Sequence, residues 1–171
     1  ARDHLYQDPS SLVTFLGLHD VPRFMNEPGA QVASLKSAFT FLATARGTPL
    51  VYYGDEIALA GGGDPDNRRD FPGGWTGDAR NAFEAAGRTA DEESVHAHVR
   101  ALLRLRQETP ALRRGKTVNL HVADRSWAYA RVLGGRAVVV AINTDAAPVT
   151  LDLPAAPAGG FYVQMGAFSR A

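Results

Sequence analysis

The 171-residue chain contains no cysteine, no excess of either charge and no long apolar run. Without cysteine it can form neither disulfides nor thiolate metal sites. Its 18 basic and 18 acidic side chains give a net charge of zero, which argues against a nucleic-acid partner because such surfaces need a basic excess. No apolar run approaches the ~20 residues of a membrane-spanning helix, so no membrane partner is predicted. The composition, 45% hydrophobic and 21% charged, is that of a globular protein.

The beginning of the chain lacks both an initiator methionine and the positive-then-apolar pattern of a signal peptide. A polar segment follows instead and closes with the turn-rich cluster Asp8-Pro9-Ser10-Ser11. We therefore expect the chain to be a piece of a longer protein, with any targeting signal upstream of residue 1. The sequence itself gives no compartment.

The first part of the chain predicts a strand–helix–strand unit. A continuous apolar run from Leu12 stops at His19-Asp20, which is typical of a strand buried on both faces of a parallel sheet. Apolar residues at steps of three and four then predict a helix over 30–46. A second strand, Pro49 to Tyr53, ends in Gly54-Asp55-Glu56. In a parallel crossover the polar ends of both strands lie at the same edge of the sheet.

A long loop over 57–88 and a second helix follow. Thr89 and Glu92 have capping-box spacing, and Pro110 is predicted to end the helix. Its buried face is predicted to hold Val95, Val99, Leu102 and Leu103. A loop this long is usually functional, although a tolerated insertion is the alternative. Trp75 in this loop is either a flat platform for the apolar face of a sugar or an anchor packed on the domain.

Short alternating segments replace the helices from about residue 113 onward, which predicts an antiparallel β module. Gly134-Gly135 has the pattern of a two-residue hairpin turn. We place the boundary between the α/β part and the β module at Arg113-Arg114-Gly115. The predicted strands are Val118–Val122, Trp127–Leu133, Arg136–Asn143, Val149–Leu153 and Phe161–Met165.

Three segments carry candidate chemistry. His19-Asp20 lies where a strand gives way to a loop, the position of catalytic residues in barrel enzymes, although a structural histidine is an equal alternative. Asp55-Glu56 either caps the following segment or acts directly. The segment Gly61 to Arg69 lacks the Lys-Ser/Thr of a phosphate-binding loop. Its alternating carboxylates and guanidinium groups suit the binding of several hydroxyl groups.

The remaining polar side chains are given structural interpretations. Tyr52 and Tyr53 alternate in direction, so that one belongs to the core and one faces the site. Three histidines are interpreted as surface residues, namely His96, His98 and His121. Four arginines are interpreted as a solvated helix face, namely Arg104, Arg106, Arg113 and Arg114.

Three segments, in this order, resemble signature regions of the α-amylase superfamily, glycoside hydrolase family 13. They are Phe15 to Phe24, Gly47 to Ile57 and Gly62 to Arg69. Within the family the likeness is strongest to the cyclomaltodextrinase, neopullulanase and maltogenic-amylase group. The resemblance implies an α/β plus all-β chain. Residues 1–112 would form the last two strand–helix units of a (β/α)8 TIM barrel. Residues 113–171 would form a small antiparallel β-sandwich C-terminal domain, incomplete if that domain continues beyond Ala171.

The resemblance also implies roles for four residues. Asp20 would stabilise the transition state, His19 would hydrogen-bond the sugar at the cleavage subsite, and Asp64 and Arg68 would hold a more distant glucosyl unit. The chain departs from the family pattern at Leu18, where asparagine is usual. Neither a cofactor nor a metal site is predicted.

The implied partners are an α-1,4/α-1,6-glucan oligosaccharide and the missing N-terminal part of the same barrel. The nucleophile and the proton donor of a retaining glycosidase would lie in that upstream part, so the chain alone is expected to be inactive. Open strand edges would favour association between copies. The alternatives are a non-catalytic carbohydrate-binding or accessory module and a degenerate amylase relative. A metal-dependent phosphohydrolase is disfavoured because no HxxxH-like cluster accompanies His19-Asp20.

Overall fold

The structure is a computed structural model that describes residues 3–152 and 161–165. The α/β part contains strand β1 (Val13–Phe15), helix α1 (Val32–Thr44), strand β2 (Thr48–Leu50) and helix α2 (Ala90–Glu108). The two strands pair in parallel, with Val13 opposite Thr48. The predicted strand–helix–strand crossover is therefore confirmed.

Both strands are shorter than predicted, and β1 is not buried on both faces. Val13 is 55% exposed and Phe15 is 44% exposed, because helices cover one face only of this two-stranded sheet in the part of the chain that is described. The apolar run of the sequence therefore continues beyond the strand into irregular backbone. The expectation of a long strand buried on both faces was therefore wrong.

The core of the α/β part lies between α1 and α2. Leu35, Phe39 and Leu42 of α1 are buried against Val95, Val99 and Leu102 of α2. These are the residues that helical spacing places on one face, except that the predicted Leu103 is 41% exposed. The capping box at the start of α2 is confirmed, since Thr89 Oγ1 accepts from the Glu92 amide and the Glu92 carboxylate accepts from the Thr89 amide at 2.8 Å.

Pro110 does more than end α2. It is the first residue of a short helix, α3 (Pro110–Arg114), where its missing N–H has no intrahelical partner to lose. Ala111 and Leu112 of α3 are buried against Tyr129 and the β sheet. Ala111 and Leu112 precede the predicted boundary at Arg113-Arg114-Gly115 but pack on the sheet that follows it. The location of the boundary therefore stays a prediction.

The second part contains β3 (Lys116–Val122), β4 (Ser126–Leu133), β5 (Arg136–Asn143) and β6 (Phe161–Met165), in that spatial order. Strands β3, β4 and β5 are antiparallel. Gly134 and Gly135 both have positive φ, as a type I′ hairpin turn requires.

Two expectations for the β part need correction. Strand β6 pairs with β5 in parallel, not antiparallel, which the long connection after Asn143 permits. Between residues 144 and 152 only Val149 makes an isolated bridge, and Leu153 lies outside the described residues. One four-stranded sheet covered by α3, and not two sheets of a sandwich, is present in the ranges that the structure describes.

Arg106 was wrongly placed on a solvated helix face. It is only 7% exposed, and its guanidinium donates to the carbonyl oxygens of Ala43, Ala45 and Gly47 at 2.8, 3.1 and 2.5 Å. These carbonyls lie at and beyond the C-terminal end of α1, where no intrahelical donor is available. Arg106 therefore caps α1 from α2, while the other three arginines of that group are exposed.

The three histidines interpreted as surface residues are all partly buried. His98 lies between the two long helices, where its Nε2 is 3.0 Å from both Thr40 Oγ1 and the Lys36 carbonyl. His121 Nε2 is 2.9 Å from Ser126 Oγ.

In the described ranges, no helix is long and apolar enough to cross a membrane.

Candidate functional site

The His19-Asp20 pair lies in the turn that follows β1, as predicted. His19 Nε2 is 3.2 Å from Asp20 Oδ2, and the two side chains are 55% and 71% exposed. The carboxylate is thus oriented by its neighbour and open to a ligand.

The structure brings the other two predicted site residues to this turn from a separate loop. Arg68 Nη2 is 4.0 Å from Asp20 Oδ1, and Arg68 Nε is 3.3 Å from Asp64 Oδ1. Arg68 Nε also donates to the His19 carbonyl at 3.1 Å. All four predicted residues therefore form one cluster with two carboxylates, one guanidinium and one imidazole.

Asn67 joins the two loops and was not anticipated. It is 1% exposed, and its side-chain amide donates to the carbonyl oxygens of His19 and Val21 at 2.7 and 3.0 Å. The acceptors flank Asp20 in sequence. A buried asparagine between charged residues of a polar loop gives no periodic signal, so the sequence could not indicate this role.

Arg23 is the second residue that sequence reasoning missed. It is fully buried, and it donates to Asn67 O at 2.9 Å, to Tyr53 O at 2.7 Å and to Asp55 Oδ1 at 2.9 Å. Its guanidinium also lies 4.6 and 4.9 Å from the ring centres of Tyr52 and Tyr53. One signal was available, because an arginine that follows a strand end can reach the carboxylate at the end of the neighbouring strand.

Asp55 has a structural position rather than an open one. It is 3% exposed in the first position of a 3-10 turn, Asp55–Ile57. Burial raises its pKa to about 6, and the Arg23 guanidinium opposes that shift without cancelling it. A Cβ on Gly17 would lie 2.6 Å from Asp55 Oδ2, which explains the absence of a side chain there. Asp55 was interpreted either as a cap of the following segment or as a residue that acts directly, and these contacts favour a structural role.

The two tyrosines that precede Asp55 both contact Arg23. Tyr52 is partly buried, whereas Tyr53 is 40% exposed and donates from its hydroxyl to Arg69 O at 2.9 Å. Burial is the main cause that raises the pKa of Tyr52. Neither ring is a full core residue.

Trp75 is 73% exposed. Its backbone N–H donates to Asp78 Oδ2 at 2.8 Å, whereas its indole is not packed as an anchor within the described residues. The same loop holds a tilted pair of rings, Phe71 and Phe83, with ring centres 4.4 Å apart. The Trp75 ring is thus largely exposed among the described residues, and both interpretations, a sugar platform and an anchor packed on the domain, stay predictions.

The cluster suits electrostatic work at a sugar. An oriented carboxylate can stabilise positive charge, while an imidazole and a guanidinium–carboxylate pair can bind hydroxyl groups. Within 3–152 and 161–165, no group of three or more histidine, cysteine, aspartate or glutamate side chains could hold a metal ion.

Comparison with known proteins points to one family. The sequence family "Alpha amylase, catalytic domain" matches residues 3–115. A cyclomaltodextrinase from Geobacillus thermopakistaniensis (strain MAS1) is 32% identical over 152 residues, which are 88% of this chain and 24% of that protein.

Comparison with solved structures points to the same family. A cyclomaltodextrinase structure has a TM-score of 0.72 and 30% identity over 90% of this chain and 25% of its own. The α-amylase from Geobacillus thermoleovorans, solved with acarbose, has a TM-score of 0.60 and 32% identity over 75% of this chain and 26% of its own. The chain thus spans about a quarter of the length of these proteins. It contains part of an α-amylase-type barrel, and it belongs to the α-amylase family of glycoside hydrolases.

Proposed function

We propose that this chain supplies one side of the active site of a retaining glycoside hydrolase that acts on α-glucans. Asp20 stabilises the transition state, His19 binds the sugar at the cleavage subsite, and Asp64 and Arg68 hold a further glucosyl unit. The observation that carries this proposal is the meeting of these four side chains from two loops that are separate in sequence.

The electrostatics support these roles. Cleavage of a glycosidic bond passes through an oxocarbenium-like state, in which positive charge grows at the anomeric carbon. A carboxylate fixed beside that carbon is worth more in the transition state than in the ground state, so it accelerates the reaction. Asp20 is exposed enough to contact a sugar and is oriented by His19 and Arg68.

The reaction needs two further carboxyl groups, a nucleophile and a proton donor about 5–5.5 Å apart. We assign them to a preceding part of the same barrel, which is the partner of this chain. In this proposal β1–α1 and β2–α2 are the last two strand–helix units of the barrel, within residues 1–112. Residues 113–171 form its C-terminal β domain.

The exposed face of β1 supports that assignment. Val13 and Phe15 are 55% and 44% exposed, and apolar strand residues of this kind are covered in a closed barrel. Without the preceding part, the same face would favour association between copies. The 171-residue chain by itself is therefore expected not to hydrolyse α-glucans.

The substrate class proposed is an α-1,4- or α-1,6-linked glucan oligosaccharide. One relative is named a cyclomaltodextrinase, and another was solved with acarbose. The cluster around Asp20 offers the mixture of carboxylate, imidazole and guanidinium groups that binds several hydroxyls at once.

The test is hydrolysis of maltooligosaccharides by the complete polypeptide that carries this chain. Asp20→Asn, which keeps the shape and removes the charge, is expected to lower kcat by about 10²–10³-fold, the loss typical of one preorganised electrostatic contact. Asp152→Asn is the matched control, because Asp152 is exposed and belongs to neither the Asp20 cluster nor the loop that carries Arg68. Retention of more than a third of kcat in the Asp20 variant, or no activity in the parent, would contradict the proposal. Turnover by the 171-residue chain alone would contradict its dependence on a preceding part.

A second candidate function, carbohydrate binding without catalysis, is favoured by one groove. It has a volume of about 850 Å³ between α1 and the β sheet, and Phe41 and Trp127 line it with ring centres 5.5 Å apart. Calorimetric titration with maltoheptaose separates the two candidates. Loss of binding in Phe41→Ser but not in Asp20→Asn would favour the groove, and the reverse would favour the Asp20 cluster.

A further inference from the structure

We propose that Asn67 is a positioning residue for Asp20, and that it couples Asp20 to the loop that presents Arg68. This inference rests on the proposed function, because it assumes that Asp20 acts on the substrate. It assigns Asn67 no contact with the sugar.

The side-chain amide of Asn67 fixes the backbone on both sides of Asp20. Nδ2 donates to the carbonyl of His19 at 2.7 Å and to that of Val21 at 3.0 Å. Both acceptors are carbonyl oxygens, so the amide must present its NH2 group to them. Asn67 is 1% exposed, and water therefore cannot replace either bond at low cost.

This backbone restraint matters because the Asp20 side chain has little packing of its own. The side chain is 71% exposed and lies beside His19 Nε2 and, at 4.0 Å, Arg68 Nη2. The location of an exposed carboxylate is set mainly by the peptide groups that carry it. A misplacement of about 1 Å at a reacting centre can lower a rate by about 10²-fold.

Asn67 is itself held from the other side. Its carbonyl accepts from Arg23 Nε at 2.9 Å, and the Arg23 amide donates to Gly61 O at 2.9 Å. Asp55 neutralises the buried guanidinium. A Cβ on Gly61 would lie 2.8 Å from Asn67 Cα, which shows how tightly this loop folds back on itself beside Asn67.

The same short turn, Asp66–Arg68, therefore does two things. Asn67 restrains the peptide groups around Asp20, and the next residue directs its guanidinium toward the Asp20 carboxylate and Asp64. A shift of this turn would move the transition-state carboxylate and the glucosyl-binding pair together.

The experiment is a double-mutant cycle between positions 67 and 20 in the complete polypeptide. Asn67→Asp keeps the size of the side chain, removes both donors and places a carboxylate against two carbonyl oxygens. It is expected to lower kcat for maltooligosaccharides by about 10²-fold in the parent, but by less than about 3-fold when Asp20→Asn is already present. Asn119→Asp is the control, because its Oδ1 only accepts from Trp127 Nε1 and the carboxylate can still accept.

A merely structural role gives a different result. It would lower the melting temperature and reduce kcat by the same factor in both backgrounds, and that additivity would overturn the inference while leaving the proposed function intact. If Asp20→Asn itself keeps full activity, the proposed function fails and this inference with it. Asn67→Ser, which is smaller and keeps one donor, guards against misfolding of the first variant. It is expected to show a smaller loss with the same non-additivity, and additivity there would also overturn the inference.

Discussion

Replacement of Arg106 by methionine tests whether a side chain on α2 caps α1. The guanidinium, 7% exposed, donates three hydrogen bonds to the carbonyl oxygens of Ala43, Ala45 and Gly47. Methionine retains the length and much of the packing of the arginine stem but has no donor. The substitution therefore isolates the hydrogen bonds from the volume.

The size of the loss follows from the burial of the acceptors. The bonds to Ala43 and Gly47 are buried, and that to Ala45 is partly buried. A buried carbonyl left without a donor costs about 1–3 kcal/mol, so two of them cost about 2–6 kcal/mol. Removal of a cation from a helix C-terminus adds to this loss. The variant no longer buries a guanidinium, whose pKa burial lowers, and that relief keeps the expected loss near 4 kcal/mol.

The assay is urea unfolding followed by circular dichroism, with the free energy of unfolding taken by linear extrapolation. Arg104→Met on the same helix is the matched control, because Arg104 is exposed and is expected to change stability by less than about 0.5 kcal/mol. Arg106→Lys is expected to fall between the two, since one ammonium cannot reach three carbonyls in the geometry of a planar fork. An Arg106→Met variant within about 1 kcal/mol of the Arg104 control would refute the capping role.

Two further predictions concern α2. Burial lowers the pKa of His98, so the unfolded chain binds a proton more readily than the folded chain, and stability is lost as the pH falls below about 6.5. His98→Gln is therefore expected to reduce the fall in melting temperature between pH 7.5 and pH 5.5. A fall in melting temperature equal to that of the unsubstituted protein would contradict this prediction. Thr89→Ala is expected to cost about 1 kcal/mol in urea unfolding because it removes the N-cap acceptor of α2. Thr76→Ala, in an exposed loop, is its control, and equal losses in the two variants would exclude a capping effect.

The sequence determined the features that depend on neighbours along the chain. The apolar spacing of α1 and α2, the Thr89–Glu92 capping box and the Gly134-Gly135 hairpin turn are all present. Each depends on residues a few positions apart, whose preferences act whatever the rest of the fold does. The location of His19-Asp20 in the turn after β1 is of the same kind. Three short motifs were sufficient to indicate the family that the comparison shows.

The arrangement of the site residues depends partly on local sequence patterns and partly on tertiary contacts. Parallel pairing of β1 and β2 brings the ends of the two strands to one edge, and this much follows from crossover topology. The 3.3 and 4.0 Å distances from Arg68 to Asp64 and Asp20 do not follow from it. They depend on how the loop after β2 folds back over the turn after β1.

Only the tertiary structure decided the functions of Arg23, Asn67 and Arg106. Their hydrogen-bond partners lie 30 to 63 residues away in sequence. The sequence alone does not distinguish a buried arginine from a solvated one. The short lengths of β1 and β2 and the parallel pairing of β6 with β5 were likewise visible only in the tertiary structure. Local patterns are set by backbone geometry and solvent exposure, whereas buried polar contacts form only where the fold leaves a donor opposite an acceptor that water cannot reach.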